Sequence, residues 1–207
     1  MIAIVDYGAG NLGSVQKALA YLGAPHCVSA DADTIRAADA VILPGVGAFG
    51  DAMGALRTRG LVESVQDFAR SGKPFLGICL GYQVLFAASD ESPDVAGLGL
   101  LPGTVRRIPA QCGDTTVKVP HMGWNSLRYP KKSALFGGVP DDAYVYFVHS
   151  YFVQAQDPAI IAATTDYSTR MDVAVAEGNL LGTQFHPEKS GKVGLQILRN
   201  FVELSTR

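Results

Sequence analysis

Short apolar runs that alternate with helical patterns constrain the fold of this 207-residue chain more than any other feature. Residues 2–5, 40–43 and 74–78 are runs of strand length that no polar side chain interrupts. Each run is followed by apolar residues three or four positions apart, which is typical of an amphipathic helix. Strands that are apolar throughout and separated by helices predict a parallel sheet with both faces covered.

The helical patterns have recognisable ends. The first one ends at Gly23, a residue type that is favoured just after a helix. A longer pattern is broken at Gly60, which predicts two helices rather than one. The predicted helical segments are residues 12–22, 53–69 with this break, 80–88 and 193–204.

The second half of the chain has a different pattern, with many short strands joined by turn-rich linkers that favour hairpins. The predicted strands are residues 105–108, 116–119, 144–153, 160–164, 173–177 and 180–185. No linker is long enough to divide the chain, and its length is below the ~250–300 residues at which single cores stop growing. We therefore expect one α/β domain over residues 1–207, with a central, mostly parallel sheet flanked by helices and added antiparallel strands.

Composition excludes several classes of function. Seventeen basic and nineteen acidic residues give a net charge of -2, so no basic field exists to hold nucleic acid. No apolar run approaches the ~20 residues that span a bilayer, and residues 1–10 lack the pattern of a signal peptide. The three cysteines are an odd number, which favours free thiols in a reducing compartment. We expect a cytoplasmic protein that binds neither nucleic acid nor membranes.

The strongest local signal for chemistry is the segment Gly-Ile-Cys-Leu-Gly at residues 77–81. It has the form of a nucleophile elbow, G-x-S-x-G, with Cys79 in place of serine at a predicted strand-to-helix junction. Flanking glycines avoid clashes in that tight turn, and the helix N-terminus stabilises a thiolate. A buried structural cysteine is the alternative; the two glycines favour the nucleophile, whereas Cys27 and Cys112 have no such setting.

A cysteine nucleophile needs a base, and His186 follows a predicted strand in the segment Thr-Gln-Phe-His-Pro-Glu. The carboxyl ends of strands are where open α/β sheets place their sites. Glu188 lies two positions further on, on the same side of an extended segment, and a carboxylate there would orient the imidazole. The sequence thus predicts a Cys79-His186-Glu188 triad. His149 is the rival base, and His26 and His121 have no neighbouring carboxylate in the sequence.

Glycine-rich loops follow two of the predicted strands. The backbone of Gly45, Val46 and Gly47 could form an oxyanion hole, because glycines let N–H groups turn toward a developing charge. Residues 8–13 match a dinucleotide-binding loop loosely, which leaves a nucleotide-binding module as a weak alternative. Cysteine and histidine spacing suited to a metal is absent, and we expect neither a metal nor a cofactor.

Two segments together resemble the class I, triad-type glutamine amidotransferases, which have a flavodoxin-like α/β fold: GICLGYQVLF at 77–86 and TQFHPEKS at 183–190. Three more segments resemble the family of glutaminase subunits of imidazole glycerol phosphate synthases, which belong to histidine biosynthesis. They are VDYGAGNLGSV near the N-terminus, PHMGWN at 120–125 and YFVHSYF at 146–152. The resemblance covers almost the whole chain.

The resemblance implies that Cys79 attacks the amide of glutamine, His186 transfers protons and Glu188 orients His186. It implies an oxyanion strand at residues 45–47. Residues that match glutamine-holding positions are Gln83, Glu91, Ser150 and Tyr151. Residues that match the partner-facing side are Asn11, Trp124, Tyr146 and Lys189.

The resemblance also implies a heterodimer with a (β/α)₈ cyclase subunit. That partner would use the ammonia to convert a phosphoribulosyl-formimino carboxamide nucleotide into imidazole glycerol phosphate and an aminoimidazole carboxamide ribonucleotide. Two alternatives stay open: a glutaminase subunit of another amidotransferase, and a non-catalytic relative that binds a ligand. The PHMGWN and HSYF segments argue against the first, and the intact Cys-His-Glu set argues against the second.

Overall fold

A computed structural model describes residues 1–206 of the chain. Its helices are α1 Leu12–Tyr21, α2 Ala32–Ala37, α3 Phe49–Thr58, α4 Val62–Arg70, α5 Leu80–Gln83 and α6 Gly191–Leu204. Short 3-10 turns lie at Ala134–Phe136, Pro158–Ile160 and Pro187–Lys189. The strands are β1 Ile2–Val5, β2 His26–Ser29, β3 Ala40–Gly45, β4 Phe75–Cys79, β5 Phe86–Ser89, β6 Leu101–Arg107, β7 Gln111–Cys112, β8 Thr115–Thr116, β9 His121–Ser126, β10 Tyr144–His149, β11 Tyr151–Ala155, β12 Ile161–Asp166, β13 Arg170–Glu177 and β14 Leu180–Thr183.

One large sheet organises the described residues, with strand order β2-β1-β3-β4-β14-β13-β11-β6-β5 and β12 paired to β13. The five strands from β2 to β14 run parallel, whereas β13 and β11 add antiparallel pairs. This confirms the predicted α/β class and the added antiparallel strands. β3, β4 and β14 are neighbours, so their carboxyl ends bring the glycine loop, Cys79 and the segment before His186 to one edge.

Strands β1, β3 and β4 of the parallel half are buried on both faces, whereas β2 at the edge of the sheet is half-buried. Alternate residues of β1 contact different cores: Ile4 packs with α1 and α6, whereas Val5 packs with α2, α3 and α4. All four β1 residues are buried. This two-sided burial explains why these strands are apolar throughout.

The prediction of a helix over 80–88 is wrong beyond its first turn. Helix α5 ends at Gln83, and the chain enters β5, where Phe86 pairs with Leu101 of β6. The Phe86 ring is fully buried and meets Tyr82 edge-on at 5.5 Å between centroids. The apolar spacing of this segment suits a helix or a strand, and pairing with the distant β6 decides for the strand.

Other strand predictions need correction. The predicted strand 116–119 is only the end of an exposed hairpin, in which Thr115–Thr116 pairs with Gln111–Cys112. The predicted strand 144–153 is two strands that meet at Ser150: β10 pairs with β9 in a small sheet, and β11 joins the large one. Strand β9 was not predicted. Among residues 1–206, no helix has the length and apolar character needed to cross a membrane.

Candidate active site

Cys79 lies at a strained turn between β4 and α5. Its backbone has φ 56° and ψ −109°, a conformation that costs a residue with a Cβ about 1–3 kcal/mol. A Cβ on Gly77 would lie 2.7 Å from the carbonyl oxygen of Gly81. A Cβ on Gly81 would overlap the carbonyl of Leu43. The turn can therefore form only with glycines at both flanking positions, which is the physical reason for the G-x-C-x-G pattern.

Cys79 opens into a cavity of about 350 Å³ at the carboxyl edge of the parallel strands. The structure brings most of the predicted site residues to this cavity: Val46, Gly47, Gln83, Glu91, Ser150, Tyr151 and His186. Leu80, Pro120, Val148 and His149 complete the lining. Across residues 1–206, no group of three or more His, Cys, Asp or Glu side chains is arranged to hold a metal ion.

Glu188 orients the imidazole of His186. The two are joined by a 2.8 Å contact between Nδ1 of His186 and Oε1 of Glu188, and both side chains are buried. The extended geometry that predicted the contact is wrong, because Pro187–Lys189 forms a 3-10 turn after β14 ends at Thr183. The turn still brings the carboxylate to the ring.

The electrostatics of His186 favour an imidazolium. Burial disfavours the charged ring, but the neighbouring Cys79 sulfur and the Glu188 carboxylate outweigh it and raise the pKa of His186 to about 9. Its Nε2 atom is buried and finds no hydrogen-bond partner among the described residues. A charged ring with an uncommitted N–H can give a proton to a group that enters the cavity.

The glycine loop after β3 lies directly against the elbow. Gly45 pairs with Cys79 in the sheet, and Gly47 has φ 102°, a conformation that favours glycine. Val46 and Gly47 line the cavity, whereas Gly45 ends β3 and is not part of the lining. The backbone of this loop therefore lies beside the cavity into which Cys79 opens.

Two of the predicted glutamine-holding side chains already have protein partners. Nε2 of Gln83 donates to the carbonyl of Tyr151 and to Oε1 of Gln184, both at 2.9 Å. Gln83 therefore offers only its carbonyl oxygen to a ligand. One oxygen of Glu91 accepts from the backbone N–H of Phe49 at 2.7 Å, at the start of α3.

His149, the rival base, is committed to a buried network. Its Nδ1 contacts the carbonyl of Tyr151 at 2.9 Å, and its Nε2 contacts Nδ1 of His121 at 3.1 Å. Burial lowers the pKa of His149 to about 3 and that of His121 to about 4. A neutral ring with both nitrogens occupied is a poor general base, so the geometry favours His186.

Three of the four predicted partner-facing residues form one surface. The exposed ring of Trp124 meets Tyr146 edge-on at 6.1 Å, and the ammonium of Lys189 lies 6.0 Å from the centre of the Tyr146 ring. Asn11 precedes α1, a helix that contacts the Pro187–Lys189 turn. This surface adjoins the His186 segment and carries exposed apolar side chains.

Two residues near Cys79 were missed by the sequence interpretation. Gln184 is fully buried, and its Nε2 lies 3.7 Å from Sγ of Cys79. The hydroxyl of Tyr7 is buried against Gly45 without a partner among residues 1–206, and burial followed by the nearby Cys79 charge raises its pKa above the usual range. Gln184 lies two positions before His186, so strand alternation could have placed both on one face.

Comparison of this chain with known proteins shows its family. A family model described as glutamine amidotransferase class-I matches residues 3–204. The chain belongs to the class I glutamine amidotransferase family. The elbow at Cys79 and the oriented His186 thus occur in a family of glutamine-dependent enzymes.

Two named relatives and one solved structure show which members of the family this class I glutamine amidotransferase is similar to. The imidazole glycerol phosphate synthase subunit HisH of Moorella thermoacetica is 53% identical over 203 residues, which are 98% of this chain and 94% of the relative. The protein of the same name from Bacillus cereus is 49% identical over 201 residues, 97% of this chain and 93% of that one. A crystal structure of a glutamine amidotransferase has a TM-score of 0.77 at 20% identity and covers both chains fully, which shows a shared fold.

Proposed function

We propose that this chain is the glutaminase subunit of an imidazole glycerol phosphate synthase, which hydrolyses glutamine and passes the ammonia to a cyclase subunit. The observation that carries the proposal is the opening of Cys79 and His186 into one cavity, with His186 oriented by Glu188 at 2.8 Å. The names of relatives about 50% identical over nearly their full length support this choice within the family.

Acylation is the first step. The Cys79 thiolate attacks the side-chain carbonyl carbon of glutamine, and the carbonyl oxygen takes the negative charge. Backbone N–H groups at residues 45–47 stabilise that charge. The His186 imidazolium then gives its Nε2 proton to the departing nitrogen, so that ammonia leaves and a thioester remains on Cys79.

Deacylation reverses the part that His186 plays. The ring, now neutral, takes a proton from water as the water oxygen attacks the thioester carbonyl. The carbon–sulfur bond breaks, Cys79 leaves as a thiolate and His186 is again charged. The carboxylic acid that forms gives its proton to solvent and becomes glutamate. Glu188 holds Nδ1 throughout, which keeps Nε2 directed at the reacting atoms.

The partner would dock on the surface made by Trp124, Tyr146 and Lys189 with Asn11. Exposed aromatic rings such as those of Trp124 and Tyr146 are typical of the centre of protein interfaces, where they bury much area. Tyr146 also lies next to the His186 segment, so a cyclase bound here would stand close to the source of ammonia. We further expect a heterodimer with a (β/α)₈ partner, one amidotransferase domain over residues 1–207 and a cytoplasmic location.

The test is a coupled assay with a cyclase subunit from the same pathway. Glutamate and the cyclase product are measured for the chain alone, for the complex, and for the complex with the cyclase's nucleotide substrate. The proposal predicts slow glutamate release by the chain alone and, with nucleotide, at least about a tenfold acceleration with equal yields of the two products. Equal rates in all three mixtures, or glutamate without cyclase product, would contradict the delivery of ammonia to this partner.

A further inference from the structure

Gln184 reaches the reacting sulfur from within the protein interior. It follows β14, where its backbone N–H donates to the carbonyl of Val173 at 2.8 Å, and its side chain is fully buried. Its Nε2 lies 3.7 Å from Sγ of Cys79, within the distance of an N–H···S hydrogen bond. A buried amide next to a nucleophile interacts with the charge on that nucleophile, and the low dielectric of the interior strengthens the contact.

The orientation of the Gln184 amide is fixed by its neighbours. The carbonyl of Tyr151 can only accept, so the group of Gln83 that contacts it must be the amino group. That amino group gives its second proton to Gln184, which must therefore present Oε1 to Gln83. The remaining end of the Gln184 side chain, Nε2, then faces Cys79.

The same carbonyl is held by a second chain of donors. His149 contacts it through Nδ1, and the neutral His149 ring must then accept at Nε2 from Nδ1 of His121. Asn125 contacts the far nitrogen of His121 at 3.3 Å. The carbonyl of Tyr151 is thus fixed from two sides, which keeps Gln83 and Gln184 from rotating.

We propose that Gln184 is a catalytic residue that donates an N–H to Sγ of Cys79 and stabilises the resting thiolate, which rests on the proposed role of Cys79 as nucleophile. The donor stabilises charge on sulfur, so more thiolate is present at a given pH. It weakens the intrinsic nucleophilicity of the sulfur in return, because reactivity falls as the thiolate is stabilised. Gln184 therefore matters most on the acid side of the pH profile.

Few other groups that face Cys79 titrate in the relevant range. His186 is the charged neighbour, and Glu188 lies behind it. The pKa of Tyr7 is raised above its usual range and that of His149 is lowered to about 3, so both stay neutral between pH 5 and pH 9. Glu91 lines the same cavity. The alkylation of Cys79 over this range therefore reports the sulfur together with His186.

The experiment measures the rate of Cys79 alkylation by iodoacetamide against pH, with the wild type, Gln184→Met and Gln184→Glu. Methionine keeps the length but cannot donate, and we expect the midpoint of the profile to rise by about one pH unit. The rate above the midpoint should be equal to that of the wild type or up to about threefold higher. The carboxylate in Gln184→Glu cannot donate a hydrogen bond when it is ionised, and the midpoint of this variant should rise further than that of Gln184→Met.

Thr183→Val is the matched control, because it changes a fully buried neighbour whose hydroxyl donates to the carbonyl of Phe185 at 3.2 Å. Its midpoint should equal that of the wild type. A midpoint for folded Gln184→Met within about 0.2 pH units of the wild type would overturn the proposal. Alkylation needs no glutamine, so its pH profile can be measured even if the wild type releases no glutamate. That failure would contradict the proposed function and would not affect the test of Gln184.

A measurement of side-chain resonances in the wild type tests the proposal even if the Gln184 variants do not fold. The side-chain amide resonances of Gln184 should titrate with the alkylation midpoint and lose that titration in Cys79→Ala. The amide of Gln196, which donates to Asn200 on α6, serves as the control and should not titrate. A Gln184 amide that is unchanged across the midpoint would overturn the proposal.

Discussion

The backbone carbonyl of Tyr146 accepts a hydrogen bond from the backbone N–H of His186 at 3.0 Å. The hydroxyl of Ser190 closes the arrangement, because it accepts from the N–H of Tyr146 at 3.0 Å and donates to the carbonyl of His186 at 2.7 Å. Strand β10, which carries part of the proposed docking surface, therefore holds the backbone of the proposed proton-transfer residue. A shift of β10 on partner binding would move His186 directly.

Ser190→Ala tests this arrangement. The substitution leaves two backbone groups without their partner, and Ser190 is buried, so we expect a loss of about 1–3 kcal/mol in the free energy of unfolding. Glutamine turnover should fall as well, since His186 loses its hold. Ser205→Ala is the control, because that hydroxyl donates to the carbonyl of Val202 at the end of α6. Equal turnover in both variants would contradict the role given to Ser190.

The raised pKa of His186 makes stability depend on pH. His186 has a pKa of about 9 in the folded state and of 6.5 in the unfolded chain. The stabilisation that results is fully present below pH 6.5 and is lost as the pH rises through 9. That shift corresponds to about 3 kcal/mol at most. Glu188→Gln removes one cause of the raised His186 pKa. Between pH 6.5 and pH 9 the free energy of unfolding of this variant should therefore fall by about 1 kcal/mol less than that of the wild type.

Urea unfolding at pH 6.5 and pH 9 measures this difference. Glu203→Gln, an exposed position on α6, controls for the loss of one carboxylate. If Glu188→Gln loses as much stability as the wild type over this interval, the carboxylate does not support the charge on His186.

The buried pair His121 and His149 predicts the opposite behaviour at acid pH. Their folded pKa values, about 4 and about 3, lie below the unfolded value of 6.5. Their neutral forms therefore stabilise the fold above pH 6.5, and this is lost as the pH falls, by about 2 kcal/mol per ring at pH 5. His121→Asn keeps a donor for His149 and has no titrating ring, so it should lose less stability between pH 6.5 and pH 5. Equal losses, measured by urea unfolding, would contradict this account.

The strain at Cys79 reverses the usual order of glycine and alanine. Glycine normally destabilises a strand or helix by about 0.5–1 kcal/mol relative to alanine. At φ 56° and ψ −109° a Cβ is unfavourable, so Cys79→Gly should be more stable than Cys79→Ala by about 1 kcal/mol. Ala55→Gly within α3 supplies the ordinary order as a control. A less stable Cys79→Gly, measured by urea unfolding, would show that the turn is not strained.

The parallel half of the fold could be predicted because its signals are local. Strands β1, β3 and β4 are buried along their whole length, so apolar character alone marks them. The elbow was equally visible, since the glycines beside Cys79 are required by contacts within a few residues and with the neighbouring strand. Both kinds of signal come from residues close together in the chain.

The remainder depends on contacts between distant segments. Strand β9 has a mixed burial pattern and exists because it pairs with β10, where Trp124 opposes Tyr146. Phe86 becomes part of a strand only beside Leu101 of β6. The amide of Gln184 gains its orientation from Gln83 and the carbonyl of Tyr151, which no local pattern encodes. These features needed the three-dimensional structure.

Glutamate release from glutamine by the complex with a cyclase subunit, compared for the wild type and Cys79→Ala, tests the central claim most directly. The account predicts that the variant folds, still binds the cyclase and supports product formation from ammonium salts, while its glutamate release falls by at least about 10³-fold. Cys79→Ala has no sulfur and cannot form the thioester. Glutamate release by this variant within about tenfold of the wild type would therefore contradict the claim.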